Sequence, residues 1–189
     1  MQIKKFLKES VEPIKISNER NSGLVNPKTL PAEIISVLEE RIGDEYVAYY
    51  FYRNAANWCI DKNYKRAAQY FESEAASELE HSKGLQDYLT QWNTFPIVPQ
   101  VETTANFESL VDIINKAYTL EYGLFGKYSK DQQSFANLHP ATFNFIQKYV
   151  DIQNDSVSEY SDLLNALNLI DYTDKFQILY FEQTYLINF

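Results

Sequence analysis

The sequence is poor in the residues that break helices or build disulfide scaffolds. Its 189 residues include only five Gly, six Pro and one Cys. Scarce Gly and Pro favour long helices over a turn-rich β fold. The single cysteine, Cys59, excludes an intramolecular disulfide framework and fits a reducing compartment. We therefore expect a helical protein of the cytoplasm.

Long apolar runs and net positive charge are also missing. No stretch of the sequence approaches the roughly 20 apolar residues of a membrane span. The basic N-terminus has no apolar segment behind it that would indicate a secretory signal. The formal net charge is −9, which argues against a nucleic-acid-binding surface. Neither a membrane nor a nucleic acid is an expected partner.

The first 30 residues differ in character from the rest. They hold six basic and three acidic residues, hence net +3, which leaves −12 for the remainder of a chain whose total is −9. They show little periodicity and end in a cluster of helix breakers, NSGLVNPKTLP. We interpret residues 1–30 as an N-terminal extension and residues 31–189 as one all-α domain with a sizeable core.

Hydrophobic periodicity predicts four long helices in this domain. Short turns link the first helix to the second and the third to the fourth, so each pair should form an antiparallel hairpin. A long connection that contains Pro96 and Pro99 joins the two hairpins. This layout is a four-helix bundle with one long crossover, the ferritin-like topology. The expected helices are 31–60, 64–91, 107–137 and 142–167, with a short fifth helix over 173–186.

Polar residues interrupt each of the four apolar stripes near its middle. If the helices pack as a bundle, these groups converge in the core, where an unpaired carboxylate is unfavourable by several kcal/mol. No Lys or Arg lies on the stripes to neutralise them, so metal ions are the natural solution. Carboxylates with one imidazole suit Fe, Mn or Zn. The interrupting residues are Glu45 on the first helix, Glu78 and His81 on the second, Glu121 on the third, and Gln153 and Ser156 on the fourth.

The spacing of these residues indicates two related halves. Glu78 and His81 are three residues apart and share a helix face. Glu45 precedes Glu78 by 33 residues, and Glu121 precedes Gln153 by 32. We interpret this as an internal pseudo-repeat whose second half has lost two ligands. A single Glu-x-x-His fits a surface position and a single core Glu fits a hydrogen-bonded role, but four interruptions at similar depth favour a metal site.

Three further residues have more than one interpretation. Tyr52 lies two turns after Glu45 on the same stripe, where it could hydrogen-bond a ligand carboxylate or donate an electron. Glu74, one turn before Glu78, fits either a transit ligand for metal or a buried hydrogen-bond partner. His139 is expected in a solvated turn.

At these residues the sequence resembles the ferritin family, and bacterial ferritins in particular, over about residues 31–187. Glu45, Glu78 and His81 match the ligands of a first iron, and Glu78 matches the carboxylate that bridges both irons. Glu121 matches the main ligand of a second iron, with Gln153 close to it. Tyr52 matches the tyrosine beside the centre. The segments that carry the resemblance are YVAYYFYRNAANWC, ELEH, FNFIQKYV and LYFEQTYL.

The sequence departs from the bacterial pattern in its second half. Ser156 stands where bacterial ferritins typically have Glu, which resembles the animal heavy chains instead. A third iron site would fall on Ser77, Ile152 and Asp155. Only one of these residues is a carboxylate, so most ligands of a third site are missing. Bacterioferritins and rubrerythrins have two Glu-x-x-His motifs, whereas this chain has only two histidines in total. Its one methionine is the initiator, so methionine ligation of haem is not available.

The resemblance implies a ferroxidase that oxidises Fe(II) with O₂ or peroxide at a di-iron centre without haem. The ferric product would be stored as mineral inside a homo-oligomeric shell of 24 subunits. Two other functions stay open. A non-storage di-iron oxidase would need a substrate pocket, and bulky aromatic stripes count against one. A cage-forming or structural subunit with weak or no ferroxidase activity is the other, although the retained ligands count against it.

Overall fold

The structure, a computed structural model, describes residues 27–103 and 105–187. Those two ranges contain five helices and no strand, which confirms the all-α prediction. Most of the predicted N-terminal extension, residues 1–26, lies outside the described residues, so the domain boundary stays a prediction. The helices are α1 (Ala32–Asp61), α2 (Lys65–Gln91), α3 (Leu110–Phe135), α4 (Pro140–Leu167) and α5 (Lys175–Tyr185).

The helices pack as two hairpins joined by a crossover. α1 lies along α2, α3 lies along α4, and α1 also contacts α3. The long segment between α2 and α3 has no regular structure where it is described. The short helix α5 contacts α2 and α4. The predicted four-helix bundle with one long crossover and a short C-terminal helix is therefore confirmed.

Asparagines in the left-handed conformation end the first two helices. Asn63 follows α1 with φ of 66°, and Asn93 follows α2 with φ of 56°. Asparagine tolerates this conformation better than most residues do. After α1, the Tyr64 N–H donates to the Cys59 carbonyl at 2.8 Å and closes the last helical turn. The short turn then sends α2 back along α1, so that both helices contribute to one core.

Side-chain caps set where α3 and α4 begin. The Ser109 hydroxyl accepts from the Asp112 N–H at 3.0 Å, so α3 starts three residues later than predicted. His139 plays the same part for α4, because its Nδ1 accepts from the Thr142 N–H at 3.2 Å. Its ring also meets Trp92 edge-on, with centroids 4.7 Å apart. His139 is therefore partly buried at the start of α4, where the sequence predicted a solvated turn.

A buried carboxylate attaches α5 to the bundle. Glu182 is 1% exposed, and its Oε1 accepts from the N–H groups of Arg66 at 2.6 Å and Ala67 at 3.1 Å. These amides belong to the first turn of α2, which has no side-chain cap from its own Tyr64. A carboxylate stabilises such a helix N-terminus through both the hydrogen bonds and the helix dipole. α5 thus caps α2 from 116 residues away.

The buried side chains follow the predicted stripes, with one shift on α1. The apolar stripe of α1, followed from Glu45 in steps of three and four residues, includes Ile35 and Tyr49. These two are only partly buried, whereas Ile34 and Ala48 are fully buried. Adjacent residues on a helix are 100° apart, so a wide apolar stripe admits either neighbour. None of the described helices carries enough apolar sequence for a bilayer crossing. On the other helices, the predicted stripe residues that are only partly buried are Glu74, His81 and Ser156.

Candidate metal centre

The polar interruptions of the four stripes meet inside the bundle. Three of the side chains are fully buried, the Glu78 residue is 3% exposed, and the His81 side chain is 19% exposed. Burial to this extent leaves the carboxylates without water as a hydrogen-bond partner, so protein groups or a cation must replace it. The fully buried members are Glu45, Glu121 and Gln153.

Helices α1 and α2 together form the tightest part of the cluster. Glu45, Glu78 and His81 each offer one ligand atom, and these three atoms lie within 4.8 Å of one another. His81 Nδ1 is 3.2 Å from Glu78 Oε2 and 3.8 Å from Glu45 Oε2. Among the described residues, Glu45 Oε2 has no hydrogen-bond partner. Two buried carboxylates and an imidazole therefore converge on one point, where Glu45 Oε2 is available to bind a metal ion.

Hydrogen bonds from neighbouring tyrosines orient this half of the cluster. The Tyr128 hydroxyl donates to Glu45 Oε1, which leaves Oε2 facing the cluster. The Tyr149 hydroxyl donates to the backbone carbonyl of His81 at 2.9 Å. A Cβ atom at Gly84 would lie 2.6 Å from that hydroxyl, so glycine makes room for it. The sequence indicated Tyr128 and Tyr149 only as core residues, because their partners lie on other helices.

Glu121 from α3 and Gln153 from α4 form the other half. The Tyr52 hydroxyl donates to Glu121 Oε1. With its NH₂ group turned toward Glu121, the Gln153 amide donates to Oε2 at 2.8 Å and to the Glu121 carbonyl at 3.3 Å. Both oxygens of Glu121 are therefore hydrogen-bonded, unlike those of Glu45. Tyr52 does bond a carboxylate of the cluster, which is one of its two sequence-based interpretations.

The pKa values of the cluster show how poorly it tolerates several negative charges. Burial, followed by the facing Glu78 carboxylate, raises the pKa of Glu45 well above its ordinary value. Burial also raises the pKa of Glu78 and of Glu121. Carboxylates that share a site cannot all ionise without a compensating cation. In the metal-free protein the cluster must therefore hold protons that a bound cation would displace.

The one buried arginine among the described residues does not serve the cluster. Arg41 Nε donates to Asp131 Oδ2 at 2.7 Å, and its NH1 group pairs with Asp44. Both acids lie outside the cluster, so the guanidinium is already neutralised. The prediction that no basic residue compensates the core carboxylates thus agrees with the geometry. Carboxylates with one imidazole are a donor set that fits Fe, Mn or Zn.

A second, more exposed group of carboxylates and tyrosines lies between α2 and α4. The Tyr160 hydroxyl donates to Glu74 Oε2 at 3.1 Å, and the Tyr70 hydroxyl donates to Glu159 Oε1 at 2.6 Å. Burial, with the charge of Glu159, raises the pKa of Glu74 to about 7. Glu74 is therefore a hydrogen-bond partner, and its role as a transit ligand stays a prediction. No pattern in the sequence distinguishes Glu159 from an ordinary surface acid.

The structure does not assemble the residues considered for a third iron. Ser77 and Asp155 are exposed and Ile152 is partly buried. Within the described part of the chain, the group able to hold a metal includes none of them. Two open grooves of about 580 and 610 Å³ on the surface are likewise lined by residues outside the cluster.

Comparisons with known proteins agree on the family and the fold. Residues 35–170 match the sequence family described as Ferritin-like domain. A bacterial non-haem ferritin of Escherichia coli is 28% identical over 142 residues, covering 74% of this chain and 86% of the relative. One from Campylobacter jejuni is 26% identical over 143 residues, covering 75% and 86%. The open pore ferritin of Archaeoglobus fulgidus superposes with a TM-score of 0.79 at 19% identity, covering 84% of this chain and 98% of that one.

Proposed function

The chain belongs to the ferritin family, and from this premise we propose that it stores iron by oxidising Fe(II) at a two-iron centre inside each subunit. One observation carries the two-iron part of the proposal. Inside the bundle, Glu45, Glu78 and His81 bring three ligand atoms within 4.8 Å of one another, and one of these side chains has an oxygen without a partner in the described structure.

Two Fe(II) ions are the substrates of this centre. The first would be held by Glu45, Glu78 and His81. Glu78 would be shared with the second, which Glu121 would hold with Gln153 beside it. Three carboxylates and an imidazole provide the hard oxygen ligands and the single nitrogen ligand that iron accepts. As each ion binds, the carboxylates release the protons that their raised pKa values retain in the metal-free protein.

The oxidation balances with O₂ as the acceptor. Each Fe(II) gives up one electron, and O₂ takes both electrons and two protons to become H₂O₂. Peroxide can serve as acceptor in the same way, since two electrons and two protons convert it to two waters. A buried cluster of carboxylates stabilises Fe(III) more than Fe(II), because the interaction grows with the charge of the ion. The protein thus supplies ligands, spacing and a largely dry site for chemistry that belongs to the metal.

Tyr52 is the residue we assign to the reaction besides the ligands. Its hydroxyl donates to Glu121, so it positions the main ligand of the second iron. The residue is fully buried in the core. A phenol in contact with a ligand carboxylate is placed to give an electron to the centre and its proton to that carboxylate.

Storage needs a container, and we propose a homo-oligomeric shell of 24 subunits that holds the ferric product. The archaeal structure that superposes on this chain is named a ferritin. The net charge of −9 would help to attract Fe(II). The curated relatives are named non-haem ferritins, which supports iron without haem. A cytoplasmic location follows from the composition as a prediction.

The two alternatives explain fewer of the observations. A substrate-oxidising di-iron enzyme needs a cavity beside the metal, and bulky rings such as Tyr52, Phe71 and Tyr128 fill the core around the cluster. A purely structural subunit gains nothing from the buried carboxylates, which cost stability when they lack a cation. The retained cluster therefore favours the ferroxidase.

Mixing the metal-free protein with two equivalents of Fe(II) in air, and following ferric absorbance, tests the proposal. The informative variant is Glu78→Ala, which removes the carboxylate shared by both irons. Glu80→Ala is the matched control, since Glu80 is an exposed acid two residues away on the same helix. Rapid oxidation in the wild type and in Glu80→Ala, lost in Glu78→Ala, is the expected result. Equally slow oxidation in all three proteins would overturn the ferroxidase and leave a structural subunit.

A further inference from the structure

Three tyrosines form a continuous line from the candidate centre toward the α2–α4 surface. The Tyr52 ring is stacked on the Tyr160 ring, with centroids 6.1 Å apart and planes at 14°. Tyr160 then meets Tyr70 edge-on at 6.3 Å. Tyr52 and Tyr160 are fully buried and Tyr70 is 3% exposed, so the line runs inside the protein. Each ring lies within a short electron-transfer step of the next.

Every hydroxyl in this line donates to its own carboxylate. A phenol loses its proton when it loses an electron, so a tyrosine is oxidised readily only where a base accepts that proton. A carboxylate at hydrogen-bond distance is such a base. The pairs are Tyr52 with Glu121, Tyr160 with Glu74 at 3.1 Å, and Tyr70 with Glu159 at 2.6 Å.

A second aromatic line leaves the cluster in another direction, and beyond Tyr128, which donates to Glu45, it lacks these bases. Tyr128 is stacked on Tyr149, with centroids 5.1 Å apart. The Tyr149 hydroxyl donates to the His81 backbone carbonyl, which does not take up a proton at neutral pH. The Tyr88 hydroxyl, further along, shares a hydrogen bond with the Thr142 hydroxyl. The two lines are equally aromatic and differ in their proton acceptors.

We propose that Tyr160 and Tyr70, with Glu74 and Glu159, form a relay that moves an oxidising equivalent from Tyr52 to the subunit surface. The proposal rests on the ferroxidase function and deepens it. The relay matters when a centre holds one Fe(II) instead of two and meets H₂O₂, because peroxide takes two electrons and the iron supplies only one.

The first step uses Tyr52 as the missing electron source. The O–O bond of H₂O₂ breaks as Fe(II) gives one electron and Tyr52 gives the other. The peroxide takes up two protons from water, while the proton of Tyr52 passes to Glu121. The products are two waters, Fe(III) and a neutral Tyr52 radical.

The second step carries the radical outward without net change. Tyr160 gives an electron to the Tyr52 radical and its proton to Glu74, while Tyr52 recovers its proton from Glu121. Tyr70 then reduces Tyr160 in the same way. Each transfer breaks two O–H bonds and forms two, because one tyrosine protonates its carboxylate while the other recovers a proton from its own.

Solvent access at the outer end allows the relay to be reset. Glu159 is exposed and lines an open groove of about 610 Å³ together with Asp155 and Asp162. There the Tyr70 radical takes one electron from Fe(II) in solution and one proton from Glu159. The oxidising equivalent thereby oxidises Fe(II) instead of side chains in the core, where a trapped radical would damage its neighbours.

The test places one equivalent of Fe(II) per subunit in the assembled full-length protein and adds H₂O₂. Rapidly frozen samples are read by electron paramagnetic resonance for tyrosyl radical, and peptide mass spectrometry locates oxidised tyrosines. Ferric absorbance is followed in the same samples. The variants are Tyr160→Phe, which breaks the line, and Glu74→Gln, which keeps a hydrogen-bond acceptor and removes the base. Tyr88→Phe, on the other aromatic line and outside the candidate centre, is the matched control.

The relay predicts oxidation products at Tyr70 in the wild type and in Tyr88→Phe. Tyr160→Phe and Glu74→Gln should lose those products and show a longer-lived radical at Tyr52, while ferric absorbance still forms. Unchanged Tyr70 products in Tyr160→Phe, with normal ferric absorbance, would overturn the relay alone. The same loss in Tyr88→Phe as in Tyr160→Phe would also overturn it. Absence of ferric absorbance in the wild type would overturn the ferroxidase proposal and the relay with it.

Discussion

The α1–α2 hairpin and the α3–α4 hairpin contribute unequally to the candidate centre. The first brings two carboxylates and an imidazole together and leaves Glu45 Oε2 without a partner in the described structure. The second brings one carboxylate, Glu121, whose two oxygens accept from Tyr52 and from the Gln153 amide. One hairpin has free coordination capacity and the other has its capacity occupied by hydrogen bonds.

This difference bears on how the centre would load iron. An ion that binds beside Glu45 gains a carboxylate oxygen without displacing a hydrogen bond from it. An ion that binds at Glu121 competes with the Tyr52 and Gln153 donors and has no imidazole ligand. Leaving a buried donor without its acceptor costs about 1–3 kcal/mol. The α1–α2 half should therefore bind its ion first and more tightly.

The largest expected effects come from removing one carboxylate in each half. Glu45→Ala should lower the rate of Fe(II) oxidation about 100-fold or more, since the loss of even an outer-shell partner of a ligand costs about 10–100-fold. It should also weaken both binding steps in anaerobic calorimetry with Fe(II). Glu121→Ala should leave the first binding step in place. Loss of the first step in Glu121→Ala would contradict the order of loading.

Substitution of the uncharged ligands, His81 and Gln153, should also affect Fe(II) binding more strongly in the α1–α2 half. His81→Ala is expected to weaken the first Fe(II) binding step about 10–100-fold, because it removes the only imidazole of the cluster. Gln153→Ala should affect only the second step, and by less than about tenfold, since an amide carries no charge to lose. The same calorimetric titration measures both variants. Equal losses on the first step would show that the two halves are alike.

Adding a carboxylate to the α3–α4 half should reduce the difference in Fe(II) affinity between the two halves. Gln153→Glu adds a carboxylate to the α3–α4 half, and we expect about tenfold tighter binding of the second ion, equivalent to about 1.4 kcal/mol. The control is Asn154→Asp, which adds the same charge at an exposed position next along α4. Tighter binding in both variants would point to the net charge of the chain and not to the geometry of the centre.

The buried Glu45 carboxylate should lower the stability of the protein when no metal is bound. Burial raises the pKa of Glu45, so its contribution to stability is fully present below the unfolded pKa and is lost as the pH rises through the folded pKa. Metal-free Glu45→Gln should therefore be more stable than the wild type by about 1 kcal/mol at neutral pH. The difference should shrink toward pH 4.5. Thermal unfolding in chelator, with Glu80→Gln as control, measures it, and an advantage that grows toward low pH would contradict the sign.

The smallest expected effects are the opposite changes in stability on substituting two helical glycines by alanine. In the first half, Gly84→Ala would place a Cβ 2.6 Å from the Tyr149 hydroxyl that bonds the His81 carbonyl, and should destabilise the protein by about 1 kcal/mol. In α3, a Cβ at Gly123 meets nothing within 4 Å, so Gly123→Ala should stabilise the helix by about 0.5–1 kcal/mol. Thermal unfolding of both variants checks the opposite signs. A stabilising Gly84→Ala would show that Tyr149 moves away without cost.

Periodicity was enough to predict that the three carboxylates of the cluster face the core. Glu45, Glu78 and Glu121 stand on apolar stripes at helical spacing, so their burial follows from the sequence pattern alone. The break residues likewise predicted the hairpins and the crossover. What periodicity leaves undetermined is the partner of each polar group, which depends on how the helices cross.

The contacts that the sequence did not predict all join residues on different helices. Tyr128 reaches Glu45 across 83 residues, and Arg41 reaches Asp131 across 90. Glu182 caps α2 across 116 residues. A hydroxyl or a carboxylate on a helix gives no local signal of the element that it will touch. Of these three contacts, the one from Tyr128 decides which oxygen of Glu45 stays available to iron.

The most direct test of the two-iron proposal is to locate the metal. Crystals prepared without oxygen would be soaked in increasing Fe(II), and anomalous diffraction at the iron edge would show where the ions bind. We predict a first peak between Glu45, Glu78 and His81, followed at higher iron by a second peak between Glu78 and Glu121. A first peak at Glu121, or no peak at either position, would contradict the account.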